Sequence, residues 1–153
     1  MFEGKVEAIA LRKVKSGAVE LTPSAAAEAD RGLVGDHAHT GLPPGVVNTP
    51  DRQITLIEAE ALEAVQHETG DSITHLQSRR NILTRGAPLN HLVGRRFRVG
   101  EVLLEGVELC EPCSHLEKLN GKPLIKPFLH RCGLRARIVE SGTIHVGDVI
   151  REA

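Results

Sequence analysis

The stretch that decides the fold is RRFRVGEVLLEGVELC, residues 95–110, followed further on by GLRARIVESGTIHVGDVI, residues 133–150. Both consist of short apolar or β-branched runs separated by turns that contain glycine. NILTRG, residues 81–86, has the same character. Short strands at such close spacing are typical of an antiparallel β-barrel.

The N-terminal half predicts further strands. Residues 3–11 and 17–21 are β-prone and are interrupted at Ser16–Gly17, which predicts a hairpin or two successive strands. Residues 54–57 form a short apolar run that predicts another strand. The run from Ala25 to Ala29 is alanine-rich.

The helical signals are few. EAEALEAVQHETG, residues 58–70, places Ala59, Leu62 and Val65 on one face and offers Gly70 as a C-cap. Two shorter helices are predicted after Pro112 and near residues 123–129. The predicted fold class is therefore mostly β (β-dominated α+β), a small, largely antiparallel β-barrel with a few short helices, in one domain over residues 1–153.

Composition excludes several classes of protein. The formal net charge is −1, and the chain has no Trp, no Tyr and three Phe, so we expect no nucleic-acid partner. Neither a signal peptide nor a membrane span is visible, so we expect no membrane partner. Three cysteines fit reduced thiols better than a disulfide framework, which favours a cytoplasmic location.

One segment has the composition of a functional loop. DRGLVGDHAHTGLPPGVVNTPDRQ, residues 30–53, is dense in breakers and predicts a long exposed loop. Its glycines permit unusual backbone conformations, and the Asp-x-x-His grouping of Asp36 and His39 could orient a ligand or bind a cation. The guanidinium groups at Arg79–Arg80 and the amide of Asn81 could bind phosphate. Each pattern alone is also typical of a solvated surface.

The most informative thiol is Cys113, in ELCEPCSHLE, residues 108–117. A strand is predicted to end near Cys110, and Pro112 suits the first turn of a helix. Cys113 would then lie at a helix N-terminus, where partial positive charge favours the thiolate. A thiolate there could ligate a soft metal or carry sulfur as a persulfide.

Other readings of the cysteines remain open. Buried cysteines are often inert small hydrophobes, and we expect Cys132 to be one of these. A C-x-x-C pair can also be a redox dithiol, or half of a zinc site completed by His115, His130 or Cys132. The sequence offers no second paired spacing for zinc.

Taken in order, four segments resemble the MOSC family, named for the C-terminal domain of molybdenum-cofactor sulfurases. They are GLVGDHAH, RQITLIEAEAL, NILTRGAPLNHLVGRRFRVGEVLLEGVELCEPC and GLRARIVESGTIHVGDVI. The resemblance implies a β-barrel that binds the molybdenum cofactor (molybdopterin), with Cys113 as the catalytic thiol and molybdenum ligand. The cofactor-binding residues that it implies are Gly35, Asp36, His37, Arg52, Arg80 and Asn81.

The resemblance implies a function as well. Relatives that reduce N-hydroxylated compounds use the matching cysteine to ligate molybdenum, and one thiolate suffices beside the two sulfurs of the pterin. Cys113 could instead relay sulfur, with a redox protein or a cysteine desulfurase as partner. The alternative is a non-catalytic binding or delivery module with structural or zinc-bound cysteines.

Overall fold

The structure, a computed structural model, describes residues 1–71 and 73–153. Eleven strands are present, in the order β1 (Glu3–Arg12), β2 (Val19–Thr22), β3 (Ser24–Glu28), β4 (Gly32–Leu33), β5 (Ile54–Glu58), β6 (Ile82–Arg85), β7 (Arg96–Val99), β8 (Val102–Leu109), β9 (Leu134–Glu140), β10 (Gly142–His145) and β11 (Val149–Glu152). Five α-helices accompany them, α1 (His37–Thr40), α2 (Ala59–Thr69), α3 (His75–Ser78), α4 (Ser114–Asn120) and α5 (Ile125–Phe128).

The main sheet closes on itself and confirms the predicted barrel. Its order is β11-β7-β8-β9-β5-β6-β1-β2, and β1 also pairs with β11, so the closed ring has seven strands and β2 lies outside it. Neighbours in the ring are antiparallel except β5 and β6, which run parallel. The ring encloses a core of aliphatic side chains together with Phe97.

A second sheet corrects the interpretation of residues 30–53 as a long exposed loop. Strands β10, β3 and β4 form a three-stranded sheet, and α1 and a 3-10 turn at Pro50–Arg52 follow within the same segment. Leu33 is fully buried in the barrel core. Gln53 is also buried, and its side-chain oxygen accepts a hydrogen bond from the backbone N–H of Ile138 at 2.8 Å. The prediction failed because one buried leucine and one buried amide anchor a segment that otherwise has the composition of a loop.

The predicted helices are present at the predicted places. Helix α2 ends at Gly70, whose φ of +76° and N–H bond to the carbonyl of Gln66 form the expected C-cap. Cys113 is the N-cap residue of α4, and α5 lies within the predicted third helix. The three helices α2, α4 and α5 share a second hydrophobic cluster: Val65, Ile73, Leu116, Leu124, Phe128 and Cys132, with Leu62 against it.

Candidate functional site

A cavity of about 370 Å³ lies where the N-terminal ends of β5 and β6 meet α1 and the end of β1. The charged side chains that line it comprise four cationic ones (Arg12, Lys15, Arg52 and Arg135) and two acidic ones (Asp36 and Asp51). Its other lining residues are His37, Ala38, Gly41, Leu42, Asn48, Gln53, Ile54, Thr55 and Asn81. The excess of positive charge favours an anionic ligand.

The floor of the cavity is a row of residues on four neighbouring strands. Arg135 of β9 lies opposite Thr55 of β5. Asn81, just before β6, accepts hydrogen bonds at its side-chain oxygen from the Thr55 N–H at 3.0 Å and hydroxyl at 3.2 Å. Its amide nitrogen donates to the Ala10 carbonyl of β1 at 3.1 Å. Asn81 thus links Thr55 of β5 to Ala10 of β1.

Asp36 is held beneath the cavity by two donors. Its Oδ1 accepts one hydrogen bond from the backbone N–H of Arg12 at 2.8 Å and another from the side-chain amide of Asn81 at 3.3 Å. Asp36 is only 2% exposed. Gly35, with φ +91°, makes the turn that brings Asp36 there, since few residues with a Cβ adopt this conformation. His37 begins α1 and lines the cavity, whereas Gly35 is not among the lining residues.

Arg12 is the residue that sequence reasoning missed and that bears most on ligand binding. Its Nε is buried and has no hydrogen-bond partner, although such orphaned donors are rare in folded proteins. No carboxylate of the described residues lies within ion-pairing distance of its guanidinium. Arg12 is indistinguishable in sequence from an ordinary strand-end charge, so only the fold reveals its position.

The opposite end of the cavity has a second pair of cations. Arg135 donates to the Asp51 carbonyl at 3.1 Å and approaches the Glu108 carboxylate at 3.7 Å. Arg52, one of the cofactor-binding residues that the resemblance implies, is exposed and lines the same end. Arg135, like Arg12, was not predicted.

Arg80 points away from the cavity that Asn81 lines. Its Nε donates to the Cys132 carbonyl at 2.9 Å, and one terminal nitrogen donates to the Cys110 carbonyl at 3.3 Å and contacts the Cys132 Sγ at 3.2 Å. Burial raises the pKa of the Cys132 thiol, and the positive charge of Arg80 opposes this shift. The contacts of Arg80 hold the segments that carry the cysteines together.

Cys113 is the exposed cysteine, whereas Cys110 and Cys132 are buried. Its side chain makes no capping hydrogen bond, and α4 has only seven residues. Two sets of contacts link the cavity region to the segments around Cys113, although neither involves Cys113 itself. Ser16, next to the cavity residue Lys15, lies 3.1 Å from the Nε2 of His115 in α4. The second is the pair Arg80 and Asn81, whose side chains reach the cysteine segments and the cavity respectively.

Within residues 1–71 and 73–153, no three side chains of His, Cys, Asp or Glu come together in an arrangement that could hold a metal ion. The same described residues include no helix long and apolar enough to cross a bilayer.

Comparison with known proteins places this geometry in context. The sequence profile of the MOSC domain matches residues 36–151. Among solved structures, YUAD from Bacillus subtilis is similar with a TM-score of 0.80 at 19% identity, covering 98% of this chain and 97% of that one. YiiM from Geobacillus stearothermophilus gives 0.72 at 14% identity, covering 98% and 75%. YiiM from Escherichia coli gives 0.68 at 16%, covering 100% and 70%. No curated protein sequence matches the chain significantly.

Proposed function

Because the chain belongs to the MOSC family, we propose that it binds the molybdenum cofactor in the cavity and that Cys113 is the thiol that ligates molybdenum or carries sulfur. The cofactor, a pterin with a phosphate group, supplies a redox-active metal when bound. The chain's own residues supply the charge that binds it, the scaffold that orients it and the thiol.

The observation that carries the proposal is the unpartnered buried Nε of Arg12 within a cavity of net positive lining. A buried donor without an acceptor costs about 1–3 kcal/mol, and an anion bound beside the Arg12 guanidinium would compensate the charge of that group. Arg52 and Lys15 are further cations on the cavity wall without an ion-pair partner among the described residues. The residues therefore fit a phosphate-bearing ligand.

The floor residues act by positioning. Asn81 uses its amide and its oxygen on Thr55, Ala10 and Asp36, so it orients the cavity wall rather than offering free hydrogen-bonding groups to a ligand. Arg80 donates hydrogen bonds to the carbonyls of Cys132 and Cys110 and so orients the segments that carry the cysteines. The proposed roles of these two residues are therefore to hold the phosphate site and the thiol in a fixed relation.

The thiol chemistry falls to Cys113 for reasons of access. Cys110 and Cys132 are each 1% exposed, and burial raises the pKa of the Cys132 thiol. An exposed cysteine can meet a cofactor or a partner protein, whereas a buried one cannot. Cys113 does not itself line the cavity. The cavity residues would hold the phosphate of the pterin, and Cys113 would supply the thiol for the metal or for sulfur.

The test is cofactor content in protein made in a host with intact molybdopterin synthesis. We expect wild-type protein to contain molybdenum and pterin, measured by elemental analysis and by fluorescence of the released pterin. Arg12→Gln and Arg52→Gln should each lower the pterin content severalfold because each removes a charge that binds phosphate. Arg95→Gln, an exposed arginine outside the cavity, is the matched control and should leave it unchanged.

Two outcomes would overturn the proposal. If wild-type protein contains neither molybdenum nor pterin, the proposal that it binds the molybdenum cofactor is wrong. If it contains stoichiometric zinc, the alternative is favoured, a non-catalytic binding or delivery module with zinc-bound cysteines. For loaded protein, reduction of an N-hydroxylated base by a chemically reduced viologen dye separates a reductase from a sulfur carrier or delivery module.

A further inference from the structure

The cationic residues of the cavity form two separate groups. Arg12 and Lys15 belong to the end of β1 and the turn that follows it, and we call them the hairpin pair. Arg52 and Arg135 lie beside Asp51 at the start of β5, and we call them the loop pair. Both pairs line the same cavity.

Sheet order sets the distance between the two pairs. Arg135 is on β9 and Arg12 is on β1, and β5 and β6 lie between these strands, so the two backbones are three strand spacings apart. At about 4.8 Å per spacing, this is about 14 Å. Arg135 is further held on its own side by the Asp51 carbonyl and Glu108. The two pairs therefore reach the cavity from opposite sides, and Arg135 is drawn towards Glu108, away from Arg12.

The hairpin pair carries charge that the fold leaves uncompensated. The Nε of Arg12 is buried without a partner. Burial lowers the pKa of Arg79, and the nearby positive charge of Arg12 lowers that pKa further. Arg79 donates only to a neutral acceptor, the Gly17 carbonyl at 2.8 Å, and has no carboxylate partner among the described residues. The two guanidinium groups thus repel each other, and neither has a carboxylate ion-pair partner among the described residues.

We propose that the cavity binds a ligand with two separated anionic groups, one at the hairpin pair and one at the loop pair. The inference rests on the proposed function because it concerns the same cavity, and it adds that the ligand carries a second phosphate-like group. Two acidic residues, Asp36 and Asp51, line the same cavity, and the four cations outnumber them. The Asp36 Oδ1 accepts two hydrogen bonds from neutral donors, and Asp51 contacts Arg135 through its backbone carbonyl.

Synthetic anions test the inference without molybdenum. Protein from a host that lacks molybdopterin synthesis is titrated by calorimetry with methylphosphonate and with alkane bisphosphonates of increasing chain length. Linking two anions makes the second contact intramolecular, so one chain length should bind at least about tenfold more tightly than methylphosphonate, at one ligand per chain.

Variants assign the two ends. Arg12→Gln and Arg52→Gln should each reduce the best bisphosphonate to about the affinity of methylphosphonate, and Arg95→Gln should not. Lys15→Gln, an exposed position in the hairpin pair, repeats the test if Arg12→Gln unfolds the chain.

The inference is overturned if no bisphosphonate gains over methylphosphonate, or if either pair can be neutralised without loss of affinity. Its failure is distinguishable from failure of the proposed function. If wild-type protein contains molybdenum and pterin but binds no bisphosphonate more tightly than methylphosphonate, only the second anionic group of the ligand is ruled out. If the chain binds a bisphosphonate tightly but never acquires molybdenum, only the identity of the ligand as the molybdenum cofactor is ruled out.

Discussion

Substituting Asn81 by aspartate tests the row of residues that forms the cavity floor. In the wild type the amide nitrogen of Asn81 donates to the Ala10 carbonyl at 3.1 Å and to the Asp36 Oδ1 at 3.3 Å. The new carboxyl has nearly the shape of the amide, but the oxygen that replaces this nitrogen cannot donate to the Ala10 carbonyl and lies against the Asp36 Oδ1. A buried acceptor left without its donor costs about 1–3 kcal/mol. The Ala10 carbonyl left without its donor, together with a second carboxylate placed against Asp36, makes the expected loss about 3–5 kcal/mol at neutral pH.

The pH dependence gives this prediction its specificity. Beside Asp36, the pKa of the new carboxyl is raised above its unfolded value because like charges repel. The penalty is therefore full above the raised pKa and disappears as the pH falls towards the ordinary aspartate pKa of about 3.9, where a proton again supplies a donor.

Thermal melts at several pH values measure both effects. A loss of 3–5 kcal/mol corresponds to a fall of about 10 °C or more in a chain of this size. Asn90→Asp is the control, since Asn90 is exposed and donates only to the His130 carbonyl. The reasoning is refuted if Asn81→Asp lies within about 1 kcal/mol of wild type at neutral pH, or if its deficit persists in acid.

Three further perturbations test other parts of the structure. Gly106→Ala should destabilise the barrel by about 1–3 kcal/mol, because the new Cβ would lie 2.0 Å from the Leu92 carbonyl oxygen. Urea unfolding measures this loss, and a midpoint urea concentration equal to that of wild type would contradict the close packing at Gly106. Burial lowers the pKa of His75 from 6.5, so the stability from its neutral form is present above about pH 6.5 and is lost as the pH falls below it. His75→Asn should weaken this pH dependence of the melting temperature. An unchanged pH dependence would contradict the assignment to His75. Iodoacetamide should modify the exposed Cys113 before the buried Cys132 in cofactor-free protein, as mapped by mass spectrometry, and the reverse order would refute the assignment of the accessible thiol.

Local patterns in the sequence predicted the elements whose signals are local. The apolar face of α2, the glycine that ends it and the proline before α4 each act within a few residues, so they could be read directly. Strand β3 was missed because alanine lacks the β-branched or aromatic character that marks strands, and pairing with β10 determines its conformation. Strand β4 was missed because two residues are too few to show a period.

The cavity shows where prediction from sequence stops. Asp36, Arg52 and Asn81 were found because they lie in motifs. Arg12 and Arg135 are alternating strand charges of a common kind, and only the order β9-β5-β6-β1 brings them to one cavity. Long-range strand pairing depends on the whole barrel, so no window of sequence around either arginine contains that information.

The measurement that tests the central claim most directly is molybdenum per folded chain in wild type and in Cys113→Ser, both made in a host with intact molybdopterin synthesis. A hydroxyl ligates soft metal poorly and forms no persulfide, so we predict that the variant loses bound molybdenum and persulfide sulfur. Its melting temperature should stay close to wild type, because Cys113 is exposed and the change is nearly isosteric. Wild-type levels of molybdenum, pterin and persulfide sulfur in Cys113→Ser would contradict the account and leave only the fold and the family.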